Sequence, residues 1–154
     1  MTARVPAKLP DVNVLVALAW PNHVHHQAAQ AWFAAAQADG WATCPLTESG
    51  FVRISSNPRL TPEARRPREA VELLRRIIAL PHHAFWDDTT SISSSELVAV
   101  DKLTGYRQVT DAHLLAVALG HGGAVATFDR GLRSIVPPSA DPGQAVELIA
   151  TGRR

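Results

Sequence analysis

Leu9-Pro10-Asp11-Val12-Asn13-Val14-Leu15-Val16 is the stretch on which the reading of the fold turns. Its apolar residues are those of a short buried strand, yet Asp11 and Asn13 interrupt them. An acid inside an apolar run is costly to bury unpaired. The economical reading is a strand that closes at Asp11 and turns directly into a helix.

Outward from there, strands and helices alternate. Asn22 caps a helix that runs through Trp32 and Ala36 until Asp39-Gly40 stops it. Trp41 to Cys44 is a second strand, and Pro45 opens a helix carrying Glu48, Phe51 and Ile54, ended by Asn57-Pro58. Thr61-Pro62-Glu63 reads as another helix start, and after Pro67 the residues Val71, Leu74, Ile77 and Ile78 recur at helical spacing. His83 to Trp86 is a strand ending in Asp87-Asp88. Ser93-Ser94-Ser95-Glu96 fits a capping box that opens a helix through Val100 and Leu103. Thr110 caps a helix from Asp111 to Leu119, closed by Gly120 or Gly122. Ala124 to Phe128 and Ala145 to Ile149 complete the strands. Short apolar strands alternating with helices describe an α/β domain whose parallel sheet is covered on both faces.

The 154 residues suit one domain, residues 1–154, and a chain of that length buries roughly 70% of its unfolded surface without staples. An apolar fraction of 46% excludes whole-chain disorder. Fifteen Lys+Arg against 14 Asp+Glu exclude a histone-like coater of nucleic acid, but not an enzyme that segregates its charges. Thirteen of the 15 cations are Arg, whose fork matches phosphate, although codon bias gives the same excess. With Cys44 alone there is no internal disulfide and no cysteine-rich zinc site. Arg4 and Lys8 ahead of Val14 to Trp20 imitate a signal peptide, but the run is short and headed by Asp11 and Asn13. No stretch approaches the 18 or so apolar residues of a membrane span. The expectation is a cytoplasmic protein with no membrane partner.

In a parallel sheet, ligands sit beyond the carboxyl ends of the strands. Asp11 and Asp129 close strands there, while Glu48 and Asp111 stand in the first turns of helices. Taken singly, Glu48 and Asp111 are explained by the helix dipole, and Asp129 by the turn Asp129-Arg130-Gly131. Four converging carboxylates instead repel and call for a cation. Oxygen donors suit Mg²⁺ or Mn²⁺ rather than zinc. One or two such ions acidify water and shield a phosphoryl group, which is the chemistry of phosphodiester hydrolysis.

At these residues the sequence resembles the PIN-domain family. The opening Leu9 to Ala17, the segment Thr110-Asp111-Ala112-His113-Leu114-Leu115-Ala116 and the segment Ala126-Thr127-Phe128-Asp129 are similar to its acidic motifs. Glu48, in Leu46-Thr47-Glu48-Ser49-Gly50-Phe51, stands where its second acid is expected. The opening, with Trp20-Pro21-Asn22-His23 after it, looks most like the VapC-like toxins of bacterial toxin–antitoxin modules. The resemblance spans Leu9 to about Ile149. It implies a three-layer α/β/α fold, Mg²⁺-dependent endoribonuclease activity leaving a 5′-phosphate and a 3′-hydroxyl, a homodimer, and inhibition by a cognate antitoxin. It implies Asp11, Glu48, Asp111 and Asp129 as metal ligands, with Asn13 and Thr127 orienting them. Arg130, beside Asp129, is the candidate nearest an RNA phosphate.

Other constellations compete. His23, His25 and His26, and the pair His82-His83, lack the H-E-x-x-H pattern of a zinc hydrolase; His23 and His26 share a helical face that can capture a metal adventitiously, but a surface helix start is the better reading than a catalytic site. Asp11 with Asn13 lacks the second Asp that a haloacid-dehalogenase phosphatase needs as general acid. Asp87-Asp88 comes too late in the chain for a receiver's acidic pair, though one of the two can reach the rim of the acidic site. Arg53, Arg59, Arg65, Arg66, Arg68, Arg75 and Arg76 read either as a solvated helix face, with Glu72 pairing to Arg76, or as phosphate contacts. Trp20, Trp32, Trp41 and Trp86 fit core positions, with base stacking as the alternative. The second functional reading is a PIN-like module that binds RNA or antitoxin without cleaving.

Overall fold

The computed structural model describes residues 5–151, so Arg4 lies outside the described residues. Five parallel strands form one sheet: β1 (Lys8–Pro10), β2 (Trp41–Thr43), β3 (His83–Phe85), β4 (Ala124–Thr127) and β5 (Val146–Leu148), in the order β3-β2-β1-β4-β5. Six α-helices connect them: α1 (Val12–Ala19), α2 (His26–Ala36), α3 (Pro45–Ser55), α4 (Pro67–Ile78), α5 (Val109–Gly120) and the single turn α6 (Pro142–Ala145).

Strand alternation sends side chains to opposite faces. Leu9, Ala42, Val125 and Val146 pack with Leu115 and Val117 of α5 in one cluster. Trp41 joins Leu15 of α1, Phe51 of α3 and Leu74 of α4 on the other face, and Ala126 meets Val14 and Trp32 there. The result is a three-layer α/β/α sandwich, as expected. All described strand pairs are parallel. The four tryptophans are packing residues, each at most 9% exposed. Three have their indole N–H bonded, to Ser55, Glu147 and the Pro81 carbonyl, and Trp86 stacks on His121.

Four local expectations need correction. The second helix starts at His26, not after Asn22, because the His23 ring accepts the His25 N–H and holds residues 21–25 in turns. Thr61 caps no helix: its hydroxyl donates to the Ile54 carbonyl at 2.6 Å and ties the turn back onto α3, and α4 begins only at Pro67. Ser93 to Leu103 forms turns and one 3-10 turn at Val100–Lys102. There the Ser95 hydroxyl accepts from the Leu97 N–H two residues on, a local bond that competes with a helix. Thr110 lies inside α5, whose N-cap is Gln108. Gly122, at φ +74°, lets the chain leave that helix for β4.

The strand order places the chain reversal between β1 and β4, the point at which open α/β sheets form their crevice. Pro10 is in register with Ala126, so the two strands end level, and the Asp11 N–H bonds the Ala126 carbonyl at 3.0 Å.

Candidate active site

Asp11 follows β1 and caps α1, its Oδ1 accepting the Val14 N–H at 3.0 Å. Its Oδ2 accepts from the hydroxyl of Thr127, the last residue of β4, at 2.6 Å. The same Thr127 oxygen accepts the Asp129 N–H at 3.0 Å. Thr127 is fully buried, so one hydroxyl fixes both the orientation of Asp11 and the backbone that carries Asp129. Asp129 then caps a 3-10 helix, accepting the Gly131 N–H at 2.8 Å. Asp111 comes in on the first turn of α5, which runs back toward the start of β4.

These three acids feel one another. Burial, and then the charges of Asp111 and Asp129, push the Asp11 carboxyl up from its ordinary 3.8 to about 6, against the pull of its two hydrogen bonds. Burial and Asp129 likewise raise Asp111. Glu48 sits in the first turn of α3, at the same edge of the sheet, but is held differently. Its Oε2 accepts from the buried Thr43 hydroxyl at 2.6 Å, and its charge is felt by His83.

The donor set is chemically that of a hard divalent ion: carboxylate oxygens only, with mutual repulsion that a cation would relieve. Among the described residues no three His, Cys, Asp or Glu side chains are gathered closely enough to hold an ion as they stand. Binding would therefore draw the acids inward.

The remaining candidates separate cleanly. Asn13 is exposed and faces His23 Nε2 at 3.3 Å. His26 Nδ1 donates to the Ala17 carbonyl of α1 and the His25 ring packs on Phe128, so these imidazoles are engaged in holding the turn rather than grouped around an ion. Asp87 pairs with His121, and Asp88 Oδ2 lies 2.8 Å from His113 Nε2, which turns both acids toward α5. Glu72 bonds Arg75 rather than Arg76, since three-residue spacing also shares a helix face. Arg65, Arg68 and Arg76 line a cleft with Glu63, Glu69 and Glu72, where the charges offset. Arg130 is exposed, and among the described residues it pairs with no carboxylate. Thr43 and His83 escaped the sequence reading as site residues. The strand alternation that puts Thr43 on the Trp41 face was legible, but its contact with Glu48 was not.

The sequence pattern of the PIN domain matches residues 8–136. Curated relatives agree over most of the chain. Ribonuclease VapC39 of Mycobacterium tuberculosis is 46% identical over 124 residues, 80% of this chain and 89% of that protein. Ribonuclease VapC38 of the same species is 45% identical over 141 residues, 92% of this chain and 96% of its own length. Ribonuclease VapC44, also from M. tuberculosis, is 42% identical over 143 residues, 93% and 97% of the two chains. With a parallel sheet in this order, acids at its switch point and relatives along nearly its whole length, the chain belongs to the PIN domain family, on its VapC-like branch.

Proposed function

We propose that this protein is a divalent-metal-dependent endoribonuclease, the toxin of a toxin–antitoxin pair. Asp11, Asp111 and Asp129 hold the ion, Mg²⁺ or Mn²⁺, and Glu48 completes the acidic edge. The observation that supports this most is the Asp11 carboxyl, kept mostly buried beside two further acids and lifted to about 6. A binding surface for phosphates gains nothing from clustered negative charge. Relatives named ribonucleases over 80% or more of the chain give the substrate class.

The bound ion supplies a shield for the phosphodiester's charge and an acidified water. The chain's own residues do the rest. Thr127 keeps Asp11 from rotating, so that the carboxylate presents its remaining lone pairs to the crevice. Asp111 and Asp129 approach from different elements, on the first turn of α5 and past the end of β4, and their charges already bear on Asp11. Arg130, one residue past Asp129, offers a guanidinium to an RNA phosphate. The same reading gives the protein a cognate antitoxin as inhibitor and a second copy of itself as partner.

Two measurements test this. Asp11→Asn and Asp111→Asn should each abolish cleavage of RNA by purified protein while leaving its circular dichroism unchanged; full activity in both would overturn the proposal. Millimolar Mn²⁺ should raise the melting temperature of the native chain, by an amount set by its affinity. No shift would favour a non-cleaving module.

A further inference from the structure

Thr43 is wholly buried on β2, and its hydroxyl oxygen stands between two partners, Glu48 Oε2 at 2.6 Å and His83 Nε2 at 2.8 Å. A hydroxyl has one proton, and an ionised carboxylate only accepts. The Thr43 proton therefore goes to Glu48, and His83 must donate its Nε2–H to Thr43. That fixes the tautomer: the proton is on Nε2 and Nδ1 is bare.

The placement follows from the sheet. Trp41 is in register with His83, and Thr43 with Phe85, so His83 is the diagonal neighbour of Thr43 on one face. The edge contact of its ring with Trp41, 4.7 Å between centroids at 61°, holds the imidazole in that position. Sequence alone presents His82-His83 as a stray pair. His82 takes the left-handed conformation at φ +69° at the start of β3, leaving His83 as the first strand residue and the one that reaches inward.

We infer that His83 is a positioning residue for Glu48, acting through Thr43 to lock one carboxylate oxygen and leave the other for the metal. This rests on the reading of Glu48 as a ligand. In such a relay the two hydrogen bonds polarise each other. Losing an outer partner of a metal ligand typically weakens metal binding about 10- to 100-fold.

The test is a Mn²⁺ titration of the purified protein, read as the concentration giving half-maximal thermal stabilisation and, separately, half-maximal RNA cleavage. His83→Phe keeps a ring against Trp41 without a donor, and Thr43→Val keeps the shape without the hydroxyl. Each should raise both concentrations about 10-fold or more. The double variant should be no worse than Thr43→Val, because His83 acts only through that hydroxyl. Thr43→Ser should restore native behaviour, and His83→Gln, with an N–H at similar reach, should restore part of it. If His83→Phe disturbs the metal-free melting temperature, His83→Gln against His83→Leu gives the same comparison. Native Mn²⁺ dependence in His83→Phe, or additive losses in the double variant, overturns the relay. Glu48→Gln tells the two readings apart. If it weakens Mn²⁺ binding while His83→Phe does not, only the relay falls; if it changes nothing, the role of Glu48 falls as well.

Discussion

Asp11 is asked to cap a helix, accept a threonine proton and remain charged, all in a mostly buried position next to two other acids. The cost is readable as pH dependence. The folded chain holds the Asp11 proton up to about pH 6, whereas the ordinary value is 3.8. Stability from this group is therefore complete below about pH 4 and is lost as pH rises through 6. Asp11→Asn, which cannot ionise, escapes that loss. In the presence of a chelator it should be more stable than the native chain by roughly 1–3 kcal/mol at pH 7.5, the difference vanishing near pH 4. Urea unfolding at the two pH values checks this, and a native chain that is the more stable above pH 6 would refute it. The acid itself was legible, since a carboxylate in an apolar strand has few structural reasons to be there. The Thr127 bond that orients it crosses 116 residues. Sequence placed Thr127 near the site by its two-residue distance from Asp129, but only the level ends of β1 and β4 make it a partner of Asp11.

Among the elements, α1 and α3 decide whether Asp11 and Glu48 share an edge, and their approach depends on Gly50. A Cβ built at Gly50 would lie 2.5 Å from Val12 Cγ2, closer than carbon atoms can stand. Gly50→Ala should therefore force the helices apart and cost about 1–3 kcal/mol, despite the better helix propensity of Ala. Val12→Ala added to it should recover much of that loss, a coupling that denaturant unfolding of the four-member cycle measures. Equal losses with and without Val12 would place the strain elsewhere. The elements the sequence revealed well, such as β4 and α3, are those whose apolar run, or a Pro at the helix start, speaks for itself. Ser93 to Leu103 did not, because a serine side chain bonded to a nearby N–H satisfies the backbone as well as a helix would. Asn22 and Thr61 failed for the same physical reason: long-range or loop contacts engaged the groups that a cap would have used.

At the scale of the molecule, the balance of 15 cations against 14 acids conceals an uneven distribution. Setting aside the four acids of the sheet edge leaves ten against fifteen, a mildly basic surface around an acidic crevice. Which arginines meet RNA is then a question of compensation. Arg68 and Arg76 share their cleft with Glu63, Glu69 and Glu72, whereas exposed Arg130 stands one residue past Asp129 with no carboxylate paired to it among the described residues. Each phosphate neutralised on a single strand contributes about −0.7 to the slope of log affinity against log salt. Arg130→Gln should flatten that slope for a short RNA by about 0.7 and weaken binding at low salt. Arg68→Gln should leave it nearly unchanged, since removing one member of a balanced cluster alters the local field little beyond a Debye length of about 10 Å at 0.1 M salt. Asp11→Asn, the variant expected not to cleave, serves as the background while binding is measured by fluorescence anisotropy between 50 and 300 mM salt, roughly the range over which such slopes are resolved. A flattened slope in Arg68→Gln with none in Arg130→Gln would move the RNA path from the acidic edge to the cleft beside α4.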